Sequence, residues 1–398
     1  PNATGHIPVF ATAPSAAISD GSSGQFLKTD GSGALSFATA GGGASASDDL
    51  YIANPSSATN PTAAGANAVS IGSQSEAGGE ASLAAGFNAT ATAYRALALG
   101  HGADAGNTSI SIGTSATSSN EGVALGRDAT ASGSESNALG HSSVSTATGA
   151  SAIGKSRASG ADSFAAAIAN NTASYGATGA NSVAIGSGLA RATGARSIAI
   201  ANNAAASGAD SVAIGRSAES SASAAFTFGY HCVASAANTI ATGLQASAAI
   251  IGKSAYASGS FAGTNNGDAQ GGQYILRSDT TDATAEAMTT NNSTAAATNQ
   301  IVAASDTCIT FHGTITAMQN GAQAHAGWEI KGMLVNDGGT TSLALGNVSD
   351  MAATNASSWA VALSADNTNN ALKIQVTGEA SHNIRWVANV KTAEVTYA

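Results

Sequence analysis

Charge is the scarcest ingredient of this 398-residue chain: only 10% of it is Asp, Glu, Lys or Arg, against about 25% in an ordinary globular protein. Aromatic residues stand at 5%, which excludes a large core of bulky side chains over most of the length. No apolar run approaches the ~18 residues of a membrane helix, and the start carries no charged-then-apolar secretion signal. Basic tracts are missing as well. With 24 acidic against 14 basic residues and a formal net charge of -10, the chain fits neither a nucleic-acid-binding protein nor one lying on or inserted in an anionic membrane. Its two cysteines, Cys232 and Cys308, show neither metal-ligand spacing nor a framework of pairs, and both read as plain buried thiols. A P-loop, a GxSxG elbow and GGxGxD calcium repeats are absent too. No cofactor or metal is therefore expected.

What fills the space is Ala, Ser, Thr, Asn and 47 glycines, and they recur in a fixed order. "NSVAIG" at 181 to 186 returns as "RSIAIA" at 196 to 201 and as "DSVAIG" at 210 to 215. The copies close on Gly72, Gly86, Gly100, Gly113, Gly126, Gly140 and Gly154, then on Gly186, Ala201, Gly215, Gly229 and Gly243. One further copy is placed near Ala169, so that about thirteen tile residues 66 to 243 with a period close to 14.

Within a copy, large apolar residues alternate with small ones, as in Val69 and Ile71, Leu97 and Leu99, Val183 and Ile185, or Phe226 and Phe228. Period two means an extended strand with one apolar face. A weaker alternation after the glycine, Ala103 with Ala105 or Ala218 with Ser220, predicts a second, shorter strand. Asn67, Asp162, Asn181, Asp210 and Asn238 precede the first apolar residue by two, where Asx side chains favour turns.

Strand, turn, strand, turn in about 14 residues makes one narrow coil of a parallel solenoid, each coil bonded to the next at about 4.8 Å, for a stack about 60 Å long. We expect each coil to enclose its two large apolar side chains with a few alanines, too little to offset the ordering entropy of its backbone. An Ala/Ser-lined face then lets a neighbouring backbone approach closely. The chain should be an obligate homo-oligomer whose rolls pack about a common axis.

The repeated hexapeptides, their register and their period resemble the YadA-like head repeat of trimeric autotransporter adhesins over about half of the chain. The resemblance implies an all-β fold, a trimeric left-handed parallel β-roll. Departures at "ALGHSSVS" (138 to 145), where the first apolar place is Asn137, and across 155 to 185 lead us to expect bulges or longer turns there.

Residues 1 to 45 differ: "ISDGSSGQFLKTDGSGALSFATAGGG" reads as two short strands, 25 to 29 and 34 to 38, around an Asp-Gly turn, and resembles short β-repeats of bacteriophage tail fibres. Residues 46 to 65 and 263 to 272 read as linkers, with the roll between them at 66 to 262. From 273 to 398 the period is lost, and Trp328, Trp359 and Trp386 appear. Candidate strands at 308 to 317, 328 to 335, 341 to 347, 358 to 364, 371 to 377 and 383 to 396 argue for a C-terminal antiparallel β-sandwich. Its segments at 273 to 290 and 359 to 395 resemble the C-terminal domain of many phage tail fibres. The tryptophans alternate with Ile330, Val361 and Ile384 and read as core.

Chemistry is thin. Asp104, Asp128, Glu135, Asp162 and Asp210 are scattered, mostly at turn positions, whereas sugar hydrolysis needs two carboxylates about 5 to 9.5 Å apart in a groove; the chain is read as not an enzyme. His101, His141 and His231 follow repeat glycines, but Phe87, Arg127, Lys155 and Arg216 hold the same places, so they read as exposed turns rather than an axial metal or anion site. No Thr-x-Thr ladder supports an ice-binding face.

Together the flanks and the repeat imply a bacteriophage tail fibre: a homotrimeric virion protein acting outside the host cell, with a stiff shaft and a tip that binds a bacterial surface glycan, such as lipopolysaccharide, or a protein receptor. Because the chain begins at Pro1, we expect an upstream segment that joins it to the tail or baseplate. The alternatives are a trimeric bacterial adhesin head, which would call for a heptad stalk and a membrane β-anchor, and a polysaccharide-degrading tailspike. Recognition usually rides on loops, so the candidate receptor contacts are His325, Asp337, Asn355, Asn367 and His382.

Overall fold

The computed structural model describes residues 25–29, 35–39 and 59–397, apart from 169, 171, 262, 264 and 322, and every regular element among them is a strand. The chain divides into two units after Asn54. Of the first, the described part is an antiparallel hairpin, Gln25–Thr29 with Leu35–Thr39. It is the strand pair read from the sequence; the Asp-Gly turn lies outside the described residues, as does Ala169 itself, but the copy placed near it is present as the strand Phe164–Ala166, in register between Ser151–Ile153 and Val183–Ile185.

The second unit opens with the roll. A three-residue strand such as Val183–Ile185 pairs in parallel with Phe164–Ala166 before it and Ile198–Ile200 after it. Across the coil, the two-residue strand Arg191–Ala192 does the same with Gly176–Ala177 and Ala205–Ala206. Fourteen long strands stack in this way from Val69–Ile71 to Ser254–Ser258. Asn137 stays in register between Val123 and Ser151, so the strand at that departure does not bulge. The looser spacing further on is absorbed between Phe164–Ala166 and Gly176–Ala177. The first short-strand pairing, Thr62–Ala63 with Glu76–Ala77, falls inside the segment 46 to 65 read as linker.

Each residue of the hexapeptide has its own task. Asn181 takes φ 56°, and Asn67, Asp162, Asp210 and Asn238 lie within a few degrees of it, in the left-handed region that Asx residues tolerate. The following serine turns inward at the corner: the hydroxyls of Ser82, Ser136 and Ser211 donate to the carbonyls of Gly79, Gly133 and Gly208 at 2.7 to 2.8 Å. Gly186 closes the motif at φ 148°, where a Cβ would stand 2.7 Å from the carbonyl oxygen of Ala201 in the next coil. Only glycine combines that backbone with that approach.

The middle alanine and its flanks reverse the sequence expectation. Ala184 is fully buried, whereas Val183 and Ile185 point out of the coil and stay half-exposed. The reason is the width of the interior. Ser111 on a long strand and Ser118 on the facing short strand hydrogen-bond Oγ to Oγ at 2.7 Å, and Ser220 meets Thr227 at 2.9 Å. Two sheets close enough for opposed β-hydroxyls to touch leave no room for a branched aliphatic chain between them. Alanines therefore line the inside (Ala77, Ala84, Ala91, Ala98), and most buried hydroxyls bond either a facing hydroxyl or a corner carbonyl, as burial of a polar group favours. Outside, two aliphatic columns run from coil to coil: Leu83, Leu97, Ile110 and Val123 in one, Leu99, Ile112, Leu125 and Leu139 in the other.

The long-strand ladder does not stop where the roll ends. Ser254 to Tyr256 pair antiparallel with Gly271 to Gln273. From Ala269–Thr280 the sheet continues through Ile384–Thr396, Thr307–Gln319, His325–Asp337 and Thr340–Thr354. Ala269–Thr280 thus begins within 263 to 272, also read as linker. A smaller sheet is built on Ala371–Thr377, flanked by Ala360–Asp366, Ala285–Ala287 and Ile301–Val302. Between the sheets lies a sandwich core in which Trp328 and Trp359 pack 5.4 and 5.6 Å from Trp386. Cys232 is buried in the roll, and Cys308 in the sandwich is only half-buried.

Two substitutions at neighbouring positions should act in opposite directions. Ala199→Leu forces a branched side chain into the narrow interior and should destabilise the roll by about 3 kcal/mol or more. Ala201 occupies φ 110° where other copies carry glycine, so Ala201→Gly should relieve strain and raise the melting temperature, by the equivalent of about 1 kcal/mol. Thermal denaturation followed by circular dichroism checks both signs.

Candidate functional site

The five candidate contacts do not converge. Strand His325–Asp337 alone separates its two end residues by about 40 Å. Asp337 and Asn367 sit at one end of the large sheet, where the backbone N–H of Thr341 donates to Asn367 Oδ1 at 3.0 Å. Asp337 also borders a groove of about 450 Å³ with Asp306, Cys308, Val335, Val395 and Tyr397. His325 and Asn355 lie at the opposite end, since His325 faces Thr354 across the hairpin. His382 joins them there: Asn320 N–H donates to the carbonyl of the adjacent Asn383 at 2.9 Å. The His382 ring stands 3.4 Å from Glu379, which accepts a bond from Ser358 at 2.9 Å.

At that second end a groove of about 730 Å³ opens on the outer face of the sheet. Its floor is Met318, 62% exposed, and Val387, 48% exposed. Polar groups surround it: Asp279, Thr281, Thr316, Asn320, Asn383 and Arg385. None of the five candidate contacts lines it. Asp279 Oδ1 accepts a bond from Asn292 at 2.7 Å, and Asp279 lies directly across from Arg385 on the neighbouring strand. The arrangement offers an apolar patch for one face of a ligand and separate donors and acceptors for its polar edge, the usual make-up of a recognition groove. Met318 and Val387 were the available signal in the sequence. Each stands at an outward position of its strand, among Thr314, Thr316, Arg385 and Asn389, where alternation calls for a polar residue.

The histidines of the roll remain apart in use. His101 is exposed and stacks on Phe87 at 5.3 Å between ring centroids, while His141 lies beside Arg127 and Asp128 on the next exposed turn.

Roll and sandwich are joined through a buried polar cluster. Lys253 occupies the inward corner that serine holds in earlier coils, and its Nζ reaches Glu394 Oε2 at 2.6 Å with both side chains under 10% exposed. Gln270 donates to the same oxygen at 2.8 Å, and Thr392 and Tyr274 donate to the other at 2.7 and 3.1 Å. Burial pushes the Glu394 carboxyl up, but the Lys253 charge and these donated bonds outweigh it and hold the group below its ordinary value. Burial, reinforced by Glu394, pushes the Tyr274 hydroxyl well above its own. The cluster caps the open end of the roll and fixes where the sandwich begins.

Because the folded-state pKa of Glu394 is depressed, its contribution is complete above the unfolded value near 4.5 and is lost as pH falls through the folded one. Lys253→Met leaves a buried carboxylate without its cation and should cost about 3–5 kcal/mol at neutral pH. Without the cation the folded-state pKa of Glu394 rises, so the deficit relative to the parent should shrink as pH falls and the carboxyl is protonated, a convergence that pH-resolved melting curves detect. No family model matches the chain, and no curated protein matches it.

Proposed function

We propose that the chain is a bacteriophage tail fibre: a homotrimer whose roll forms a stiff shaft and whose sandwich binds a bacterial surface receptor, a glycan such as lipopolysaccharide in preference to a protein. The observation that carries this reading is the pair of aliphatic columns on the outside of the roll. Val69 is 41% exposed, Ile153 41%, Ile240 43% and Phe228 56%, and covering the exposed half of such a side chain is worth about 1 kcal/mol, added up over every coil. A stripe repeated at the same register in coil after coil is matched most directly by the same stripe on an identical chain, about a common axis. Left-handed winding of the coils belongs to this reading, through the resemblance to trimeric adhesin heads.

The tip supports a binding role rather than a hydrolytic one. The groove presents one carboxylate, Asp279, where glycoside hydrolysis needs two. In the roll, Asp128, Glu135, Asp162 and Asp210 all occupy left-handed turn positions. Within this reading the fibre is carried by the virion and acts outside the host cell. A trimeric adhesin head shares the roll and stands as the second reading.

Labelled full-length protein should coat susceptible bacteria and block adsorption of the phage that carries it, with no depolymerisation of the host polysaccharide. Binding to animal cells or matrix but to no bacterium would favour the adhesin head. Ile185→Asp together with Ile200→Asp charges the outer stripe. The double variant should fall to a lower oligomer mass and lose about 100-fold or more in apparent affinity for cells, as expected when avidity is removed. Retained mass and affinity would contradict the reading.

A further inference from the structure

We propose that the outer face of the large tip sheet is a track for a carboxylate-bearing polysaccharide, running from the 730 Å³ groove along strands Ala269–Thr280 and Ile384–Thr396. The proposal deepens the receptor-binding reading and rests on it. Arg277, Arg385 and Lys391 all point outward from these two strands and are exposed. Among the described residues none of the three has an ion-pair partner. In a chain that carries -10 overall and only 14 basic residues, three outward cations against one outward carboxylate, Asp279, on these two strands leave a local positive surface.

Lys391 is directly opposite His312, which is directly opposite Lys331, so basic side chains continue across two further strands of the same face. Glu329 offsets part of this, 2.9 Å from His312 and 3.9 Å from Lys331. Asp337 lies at the far corner of the face, and Asp279, directly across from Arg385, accepts a bond from Asn292 but still offsets one of the three cations.

Spacing identifies the ligand. Arg277 is opposite Val387, which lies between Arg385 and Lys391 along the neighbouring strand, so the cations are spread over about 20 Å. Such a track suits a polymer several sugars long with one charge at intervals. A phosphate dianion would instead draw two or more cations to one point. Met318 and Val387 can underlie a sugar face while Asn320, Asn383 and Thr281 meet hydroxyls. No Phe, Tyr or Trp points outward from these two strands to stack a base, which disfavours single-stranded nucleic acid.

A second copy of the chain is a poor occupant, because symmetric copies would bring the same cations face to face. Strand twist of about 20–25° per step also turns this face away from the aliphatic stripe of the last coil.

The test passes the full-length protein over immobilised polygalacturonate, dextran and single-stranded DNA. Retention is expected on polygalacturonate alone, fading by about 0.5 M salt. Arg385→Ala with Lys391→Ala should weaken it about tenfold or more at unchanged melting temperature and oligomer mass, whereas Arg196→Ala, on the roll, should leave it intact. Absence of retention, an equal loss with Arg196→Ala, or equal retention on DNA would overturn the inference. Host adsorption separates the two claims. Cells bound equally well by the double variant sink the track and leave the receptor reading standing. Polygalacturonate held through Arg385 and Lys391, with no bacterium bound, sinks the receptor reading and leaves the track.

Discussion

The distance between the two sheets of a coil governs the rest of the roll. Where Ser111 and Ser118 touch through their hydroxyls at 2.7 Å, the interior accepts Ala, Ser, Thr or Gly and little else. The bulky residues of the long strands are displaced to the outside, with Ile168 in the looser stretch the buried exception, so the chain is small within and greasy without, the inverse of an ordinary core. A second closeness, between successive coils along the stack, accounts for the glycines: a Cβ at Gly86, Gly113 or Gly126 would stand 2.4 to 2.5 Å from the next coil's carbonyl oxygen.

A roll of this kind has two exposed problems, its flank and its ends. The flank carries the aliphatic columns, and the proposed trimer is the arrangement that covers them with identical columns. The end next to the sandwich is closed by Lys253 and Glu394, a charged cap in place of the serine corner. Terminal coils of solenoids commonly need a polar closure of this sort. Beyond it the large sheet continues with mixed chemistry: Arg277, Arg385, Asn389 and Lys391 face outward among Ile275, Val387 and Val395. Shaft and tip share one ladder of strands but present different surfaces, which is what a rod with a recognition face requires.

Much of this was legible in the sequence, and the reasons for the remainder are specific. The period, the two strands per coil and the left-handed turns at Asn67, Asn181 and Asp210 follow from local rules and are found in the fold. Which face of the strand is inside does not follow from alternation, because period two fixes only that Val183 and Ala184 point opposite ways. The segment 263 to 272 reads as linker because it is rich in Gly and Asn. Yet Gly272 lies in a strand where a Cβ would meet Thr392 Oγ1 at 2.4 Å and Glu394 Oε1 at 2.5 Å. The groove was hidden for another reason: it joins Asp279, Asn320 and Arg385, which only the strand order of the sandwich brings together.

The most direct test of the account is the mass of the full-length protein in solution, followed by sedimentation equilibrium through serial dilution. The account predicts a particle of three times the 38.2 kDa chain that loses its β-structure when it dissociates. A folded monomer, stable at 38.2 kDa with its roll intact and its aliphatic columns open to water, would contradict it.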